Sequence, residues 1–292
     1  MDKAAANTPD WLTLTFDGKV SDSIAAGTKV KNQAFQVVND STTPTNWVTN
    51  EVPPTKPLKE DLNEAGEDIN GKTVITGDKI VYRVTLDASP LPANTDSKNK
   101  LAYWVHKLGI TDDYDEEYLN LEPSGVKIIQ ADTGKDVTGE FNIQVKNGKA
   151  FAFAKTHDYT NEEGVVIKGD PQPKDLEAYD KAPIKPDQDP IIDQSLMGHK
   201  YWVYLTTQVK KSKDGYVIRN QAIQNLENMR QVTNVVHNPL KEINPKKDVV
   251  VGIKGDAKSI NNSTVKLDGV FAYKLSSSIL PAARANKTSQ WS

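Results

Sequence analysis

The chain contains no cysteine, which excludes disulfides, thiol nucleophiles and thiolate metal sites without fixing a compartment. Mechanical stability must therefore come from other side chains. No apolar run approaches the roughly 20 residues of a membrane-spanning helix. Histidine is scarce: His106, His157, His199 and His237 lie at no metal-ligand spacing, and no nucleophile elbow occurs, so nothing supports an enzyme. Charge of one sign is also missing. The net charge is -3, with basic residues scattered rather than striped, so no nucleic-acid partner is expected. Long helical periodicity is absent too.

What is present is strand-like. The runs "WLTLTF" (11–16), "KIVYRVTL" (79–86), "VKII" (126–129), "FNIQV" (141–145), "KYWVYLTTQV" (200–209) and "GVFAYKL" (269–275) alternate with period two. They are rich in β-branched and aromatic residues, and turn residues bound most of them. The pattern predicts an all-β, antiparallel sandwich. The stretch 161–195 is rich in proline and charge and reads as a long surface loop, with room for a short helix over 173–183.

"GEDINGKT" (66–73) fits the phosphate-loop pattern G-x-x-x-x-G-K-[ST]. Its context argues otherwise. A β-branched run follows where a helix N-terminus should receive phosphate, and Glu67 and Asp68 would repel the ligand. The expected structure is a polar turn entering a strand, with no nucleotide bound.

An internal repeat carries more information. "KVKNQAFQ" (29–36) recurs as "VIRNQAIQ" (217–224), so Asn220 follows Asn32 by 188 positions. "VTN" recurs at 48–50 and 232–234, "INGKTV" (69–74) as "INNSTV" (260–265), and "LPA" at 91–93 and 280–282. The parse is the C-terminal part of one module (1–52), a whole module (53–240) and the N-terminal part of a third (241–292).

Strand alternation puts Asn32 with Val30 and Ala34, and Asn220 with Ile218 and Ala222, each asparagine on an apolar face. Lys247 falls with Val249 and Val251; Lys59, 188 positions earlier, is followed on its face by the polar Asp61 and Asn63. A desolvated lysine can lose its proton and attack a carboxamide, with a buried carboxylic acid to polarise the carbonyl. The same residues also fit a plainer arrangement, an asparagine bonded to backbone and a lysine reaching water.

"KPLKEDLNEAGEDINGKTV" (56–74), "TDDYDEE" (111–117), "RNQAIQ" (219–224) and "INPKKDV" (243–249) together resemble the C-terminal stalk domains of antigen I/II-type surface adhesins of streptococci and enterococcal aggregation substances. The resemblance implies tandem Ig-like sandwiches, each with a self-formed Lys–Asn isopeptide bond assisted by an Asp. Carried over, the pair is Lys59 and Asn220 and the acid is Asp113, with Asp112 as the alternative. Asn32 and Lys247 would then belong to flanking modules and lack partners. Some relatives hold calcium; the cluster Asp112, Asp113, Asp115, Glu116 and Glu117 could supply oxygens, although a solvated acidic loop is the better account of it. No cofactor is otherwise implied. The resemblance also implies an internal segment of a longer, wall-anchored Gram-positive surface protein whose partners are proteins of host or neighbouring cells. An alternative role is direct adhesion through loops such as 155–195, to which Trp104 and Trp202 would contribute if exposed, core packing being their default.

Overall fold

A computed structural model describes residues 13–287 apart from 17, 19, 22–23, 92–103, 162, 186–187 and 254–256. It divides into two compact units, 1–52 and 53–292. In the first, β1 (Lys29–Asn32) pairs with β4 (Val48–Glu51), and β2 (Phe35–Val38) pairs with β3 (Ser41–Pro44), all antiparallel. Residues 13–16 of the run "WLTLTF" form no strand, and Leu14 and Phe16 are exposed; 11–12 lie outside the described residues. Alternation alone did not make a strand there.

The second unit begins with β5 (Lys59–Leu62), β6 (Lys79–Asp87), β7 (Leu108–Asp113), β8 (Leu119–Asn120), β9 (Val126–Gln130), β10 (Phe141–Lys146) and β11 (Lys149–Ala154). An excursion follows, carrying β12 (Thr156–His157), β13 (Tyr159–Thr160), β14 (Val166–Ile167), α1 (Leu176–Lys181) and β15 (Ile191–Ile192). The chain then returns through β16 (Lys200–Val209), β17 (Val217–Asn220), β18 (Ala222–Leu226), β19 (Met229–Val232) and β20 (Val236–Pro239). Last come β21 (Lys246–Val250) and β22 (Ala272–Ser276), paired with each other.

One sheet runs β5-β6-β16-β8, with β9 also against β16; the other runs β10-β11-β7-β18-β19. Alternation builds the layer between them. Ile80, Tyr82, Val84 and Leu86 of β6 and Tyr201, Val203 and Leu205 of β16 meet Leu108 and Ile110 of β7 and Ala150 and Ala152 of β11 in one buried cluster. Strand β7 is covered on both faces: Phe153 packs so closely on Gly109 that any side chain there would collide with it.

The stretch 161–195 is not a free surface loop. It buries Leu176, Ile184 and Ile192, and α1 is capped by Asp175, whose carboxylate accepts from the Glu177 and Ala178 amides. The buried Lys107 donates to the Tyr179 and Ala182 carbonyls, while Asp180 gathers Thr111, Asn225 and Arg230. Proline and charge signalled a loop, but these anchors give it a fixed path.

The two halves of the repeat superimpose in hydrogen bonding at an offset of 188. Asn32 faces Val48 as Asn220 faces Val236, and Phe35 faces Pro44 as Ile223 faces Val232. Ala34 N donates to the Thr45 hydroxyl as Ala222 N donates to the Thr233 hydroxyl, both at 3.0 Å. This register corrects the pairing of the two "VTN" triplets. Thr233 and Asn234 correspond to Thr45 and Asn46, and the triplet at 48–50 corresponds to 236–238. The "LPA" copy at 91–93 falls mostly outside the described residues.

Residues 66–74 form a turn, with Gly71 at φ 78°. No helix follows; Thr73 and Val74 make isolated bridges to Arg284 and Leu240. Gly71 N donates to the His237 carbonyl, Val74 N to Pro239, and Thr73 N to Ala283, so amides that could cradle phosphate are already committed.

Candidate functional site

Lys59 sits on β5, an edge strand held in place by Asn234, whose carboxamide accepts from Lys59 N and donates to Lys59 O, both at 2.9 Å. Its side chain points between the sheets and ion-pairs with Asp112 Oδ2; both side chains are fully buried. The ammonium also lies 4.6 Å from the centre of the Tyr82 ring. Burial pulls the lysine below its ordinary value, opposed by the Asp112 charge.

Asp112 faces inward because it continues the row Leu108, Ile110, Asp112 on β7. In the register it stands opposite Ala222, two residues beyond Asn220. Asn220 ends β17 in phase with Ile218 and is 2% exposed. The Tyr82 hydroxyl is next to it, although neither completes a hydrogen bond of good geometry.

Asp113, the first choice from the sequence, takes the opposite face. Its side chain is 68% exposed and lies 3.7 Å from Lys149. The carboxyl that meets Lys59 is Asp112, since the end of a strand gives adjacent residues opposite faces. The acidic cluster also disperses. Asp112 points inward, Asp115 accepts from Tyr216, and Glu117 pairs with Lys211, so these carboxylates do not converge as calcium ligands would.

Asn32 on β1 and Lys247 on β21 are exposed. Lys247 nevertheless lies 4.3 Å from the Tyr273 ring centre, the same arrangement as Lys59 over Tyr82.

Three more buried residues share the pocket: Asp61, Tyr82 and Asn238. Asp61 had counted against an inward β5, yet it is 0% exposed, and burial pushes its carboxyl up to about 7. Tyr82 is pushed well above its usual range, first by burial and then by the charges of Asp61 and Asp112. The signal was in the pattern Lys59-x-Asp61, two residues on one strand face. Among the described residues, seven of the nine buried polar atoms without a partner belong to Asp61, Tyr82, Asp112, Asn220 and Asn238. Such groups are costly, and their concentration at one place marks a site rather than a packing accident.

Residues 57–240 match the cell surface antigen I/II C2 terminal domain, and 244–292 match the cell surface antigen C-terminus. The chain belongs to the cell surface antigen I/II family. It is 30% identical over 265 residues to the aggregation substance of Enterococcus faecalis, covering 91% of this chain and 17% of that relative. It resembles the C-terminal domain of the Streptococcus agalactiae AgI/II polypeptide BspA at a TM-score of 0.50 and 25% identity, covering 79% of this chain and 63% of that structure. Antigen I/II proteins are surface adhesins, and the all-β, Ig-like architecture is theirs. No helix among the described residues is long and apolar enough to cross a membrane.

Proposed function

We propose that residues 53–240 are one stalk module of a wall-anchored adhesin, flanked by parts of two similar modules, and that it stiffens itself with an isopeptide bond between Lys59 and Asn220. The observation that carries this reading is the sealed Lys59–Asp112 pair beside a carboxamide that has no partner of its own. Proton transfer from Lys59 Nζ to Asp112 gives a neutral amine and a neutral acid, which removes buried charge. The amine attacks Asn220 Cγ while Asp112 donates to Oδ1. Ammonia then leaves, and Asp112 regains its proton as the amide forms. One cycle occurs per chain, so this is no turnover enzyme.

The bond would close a loop of about 160 residues and remove denatured-state entropy worth roughly 5 kcal/mol on the chain-entropy model. It would also tie a first strand to a late one, letting tension bypass much of the sandwich. Direct adhesion by the excursion has weaker support. Trp202 is partly buried beneath the Arg83 guanidinium, and Trp104 packs on Tyr159.

Intact-mass measurement tests the proposal. The folded chain should weigh one ammonia less than its sequence, and Lys59→Ala and Asn220→Ala should show no deficit. A full sequence mass after long incubation at neutral pH would refute the bond.

A further inference from the structure

Asp61 shares the inward face of β5 with Lys59 and stands opposite Tyr82 in the register. Both its oxygens are buried without a hydrogen-bond donor. Its neighbour Asn238 has given its amide hydrogens to the carbonyls of Ile69 at 3.0 Å and Lys72 at 3.2 Å. What remains on Asn238 is a buried Oδ1, which can only accept. The charged groups around Asp61 are Lys59 on its own strand and Asp68 from the following turn, with Asp112 across the pocket and the Tyr82 phenol on β6. One cation thus faces two buried carboxyls.

The β21–β22 hairpin provides an internal comparison. Lys247 faces Leu275 and Val249 faces Tyr273, as Lys59 faces Val84 and Asp61 faces Tyr82. Ile260 N donates to Val249 O as Ile69 N donates to Asp61 O, both at 2.8 Å. Lysine and tyrosine keep their places, but a valine replaces the aspartate. The hairpin needs no carboxyl there.

We propose that Asp61 is a positioning residue of this module, acting through Lys59: its proton decides whether Lys59 meets Asn220 as an amine or is held as an ammonium. This rests on the isopeptide reading above. With Asp61 ionised, the pocket holds two carboxylates and one ammonium, and moving the Lys59 proton to Asp112 leaves a buried carboxylate unbalanced. With Asp61 protonated, the same transfer leaves three neutral groups. The Nζ–Cγ bond then forms, the Cγ–Nδ2 bond breaks and ammonia carries away the nitrogen. Asp61 gains and loses nothing in that step. Bond formation in this module is therefore favoured by acid, and a module with valine at this position lacks the dependence.

The test needs unreacted chain. Protein from cell-free synthesis, collected in denaturant, is diluted into buffers from pH 5 to 9, and ammonia loss is followed by intact mass. A group titrating at about 7 passes from about nine-tenths to about one-tenth protonated between pH 6 and 8, so the wild-type rate should fall about tenfold. Asp61→Asn, neutral throughout, should show no such fall, and Asp61→Val, copying the β21 hairpin, serves if the asparagine variant does not fold. Identical pH profiles in wild type and variant overturn the role of Asp61 while leaving the bond intact. No ammonia loss in wild type at any pH overturns the bond itself. If neither variant folds, carbon-13 NMR of the Asp61 carboxyl in Asn220→Ala gives a direct reading. A midpoint between pH 6 and 8 supports the role, and one outside that range overturns it.

Discussion

Lys59 and Asp112 come from opposite sheets of the sandwich, yet they meet in an ion pair closed to solvent on both sides. Asp113, one residue on, lies in water beside Lys149. Alanine at 112 should abolish the ammonia loss and leave a buried lysine uncompensated, destabilising the fold by about 3–5 kcal/mol. Alanine at 113 should leave cross-linking unchanged and shift stability by less than about 1 kcal/mol. Mass spectrometry and urea melts of the two variants separate these roles.

The second prediction concerns pH in a chain that cannot react, Asn220→Ala. Folding raises the Asp61 carboxyl from its ordinary 3.8 to about 7, so the folded state binds more protons in that window. This contribution is complete below about pH 4 and is lost as pH rises towards 7, amounting to at most about 4 kcal/mol. Adding Asp61→Asn should remove that loss. Denaturant midpoints for the single and double variants at pH 5 and 8 should diverge at the higher pH.

Gly109 offers a test of how the second sheet aims Asp112. A Cβ there would lie 2.4 Å from the Ala152 carbonyl and 2.5 Å from the Phe153 ring. Gly109→Ala should cost about 1–3 kcal/mol. By displacing β7 it should also slow cross-linking, which a time course of intact mass would show.

The excursion depends on Lys107, which reaches the Tyr179 carbonyl at 2.8 Å and that of Ala182 as well. Lys107→Met keeps the apolar stem but leaves two carbonyls without this donor, at about 1–3 kcal/mol. Limited proteolysis should then cut within 161–195 before it reaches β16. Equal cutting of variant and wild type would show that the anchor lies elsewhere.

The strands of the sandwich were legible because their apolar rows repeat every second residue, as in Ile80, Tyr82, Val84 and Leu86 of β6. Lys59 and Asn220 were legible through the repeat. The choice between Asp112 and Asp113 was not, because phase is lost where a strand ends and only the contact across the sheets restores it. Asp61 was misread for a different reason. A polar residue next to Lys59 looks like evidence for a wet face, unless the pocket is known to hold several polar groups together. The "VTN" triplets misled because three letters can recur by chance, while the backbone bonds of Thr45 and Thr233 cannot.

The turn at 66–74 also has a mechanical consequence. Thr73 exchanges backbone hydrogen bonds with Ala283 and Ala285, and Asn63 donates to the Ala285 carbonyl at 3.4 Å. The segment after β20 is therefore attached to the sandwich twice, once by the peptide chain through 241–245 and again at this turn. A single tether would act as a swivel, bending through rotation about a few backbone dihedrals. Two separated anchor points act as a bracket, and tilting it must first stretch hydrogen bonds. Sideways load at this joint is thus met by an elastic restoring force, and a bent joint springs back to its starting angle.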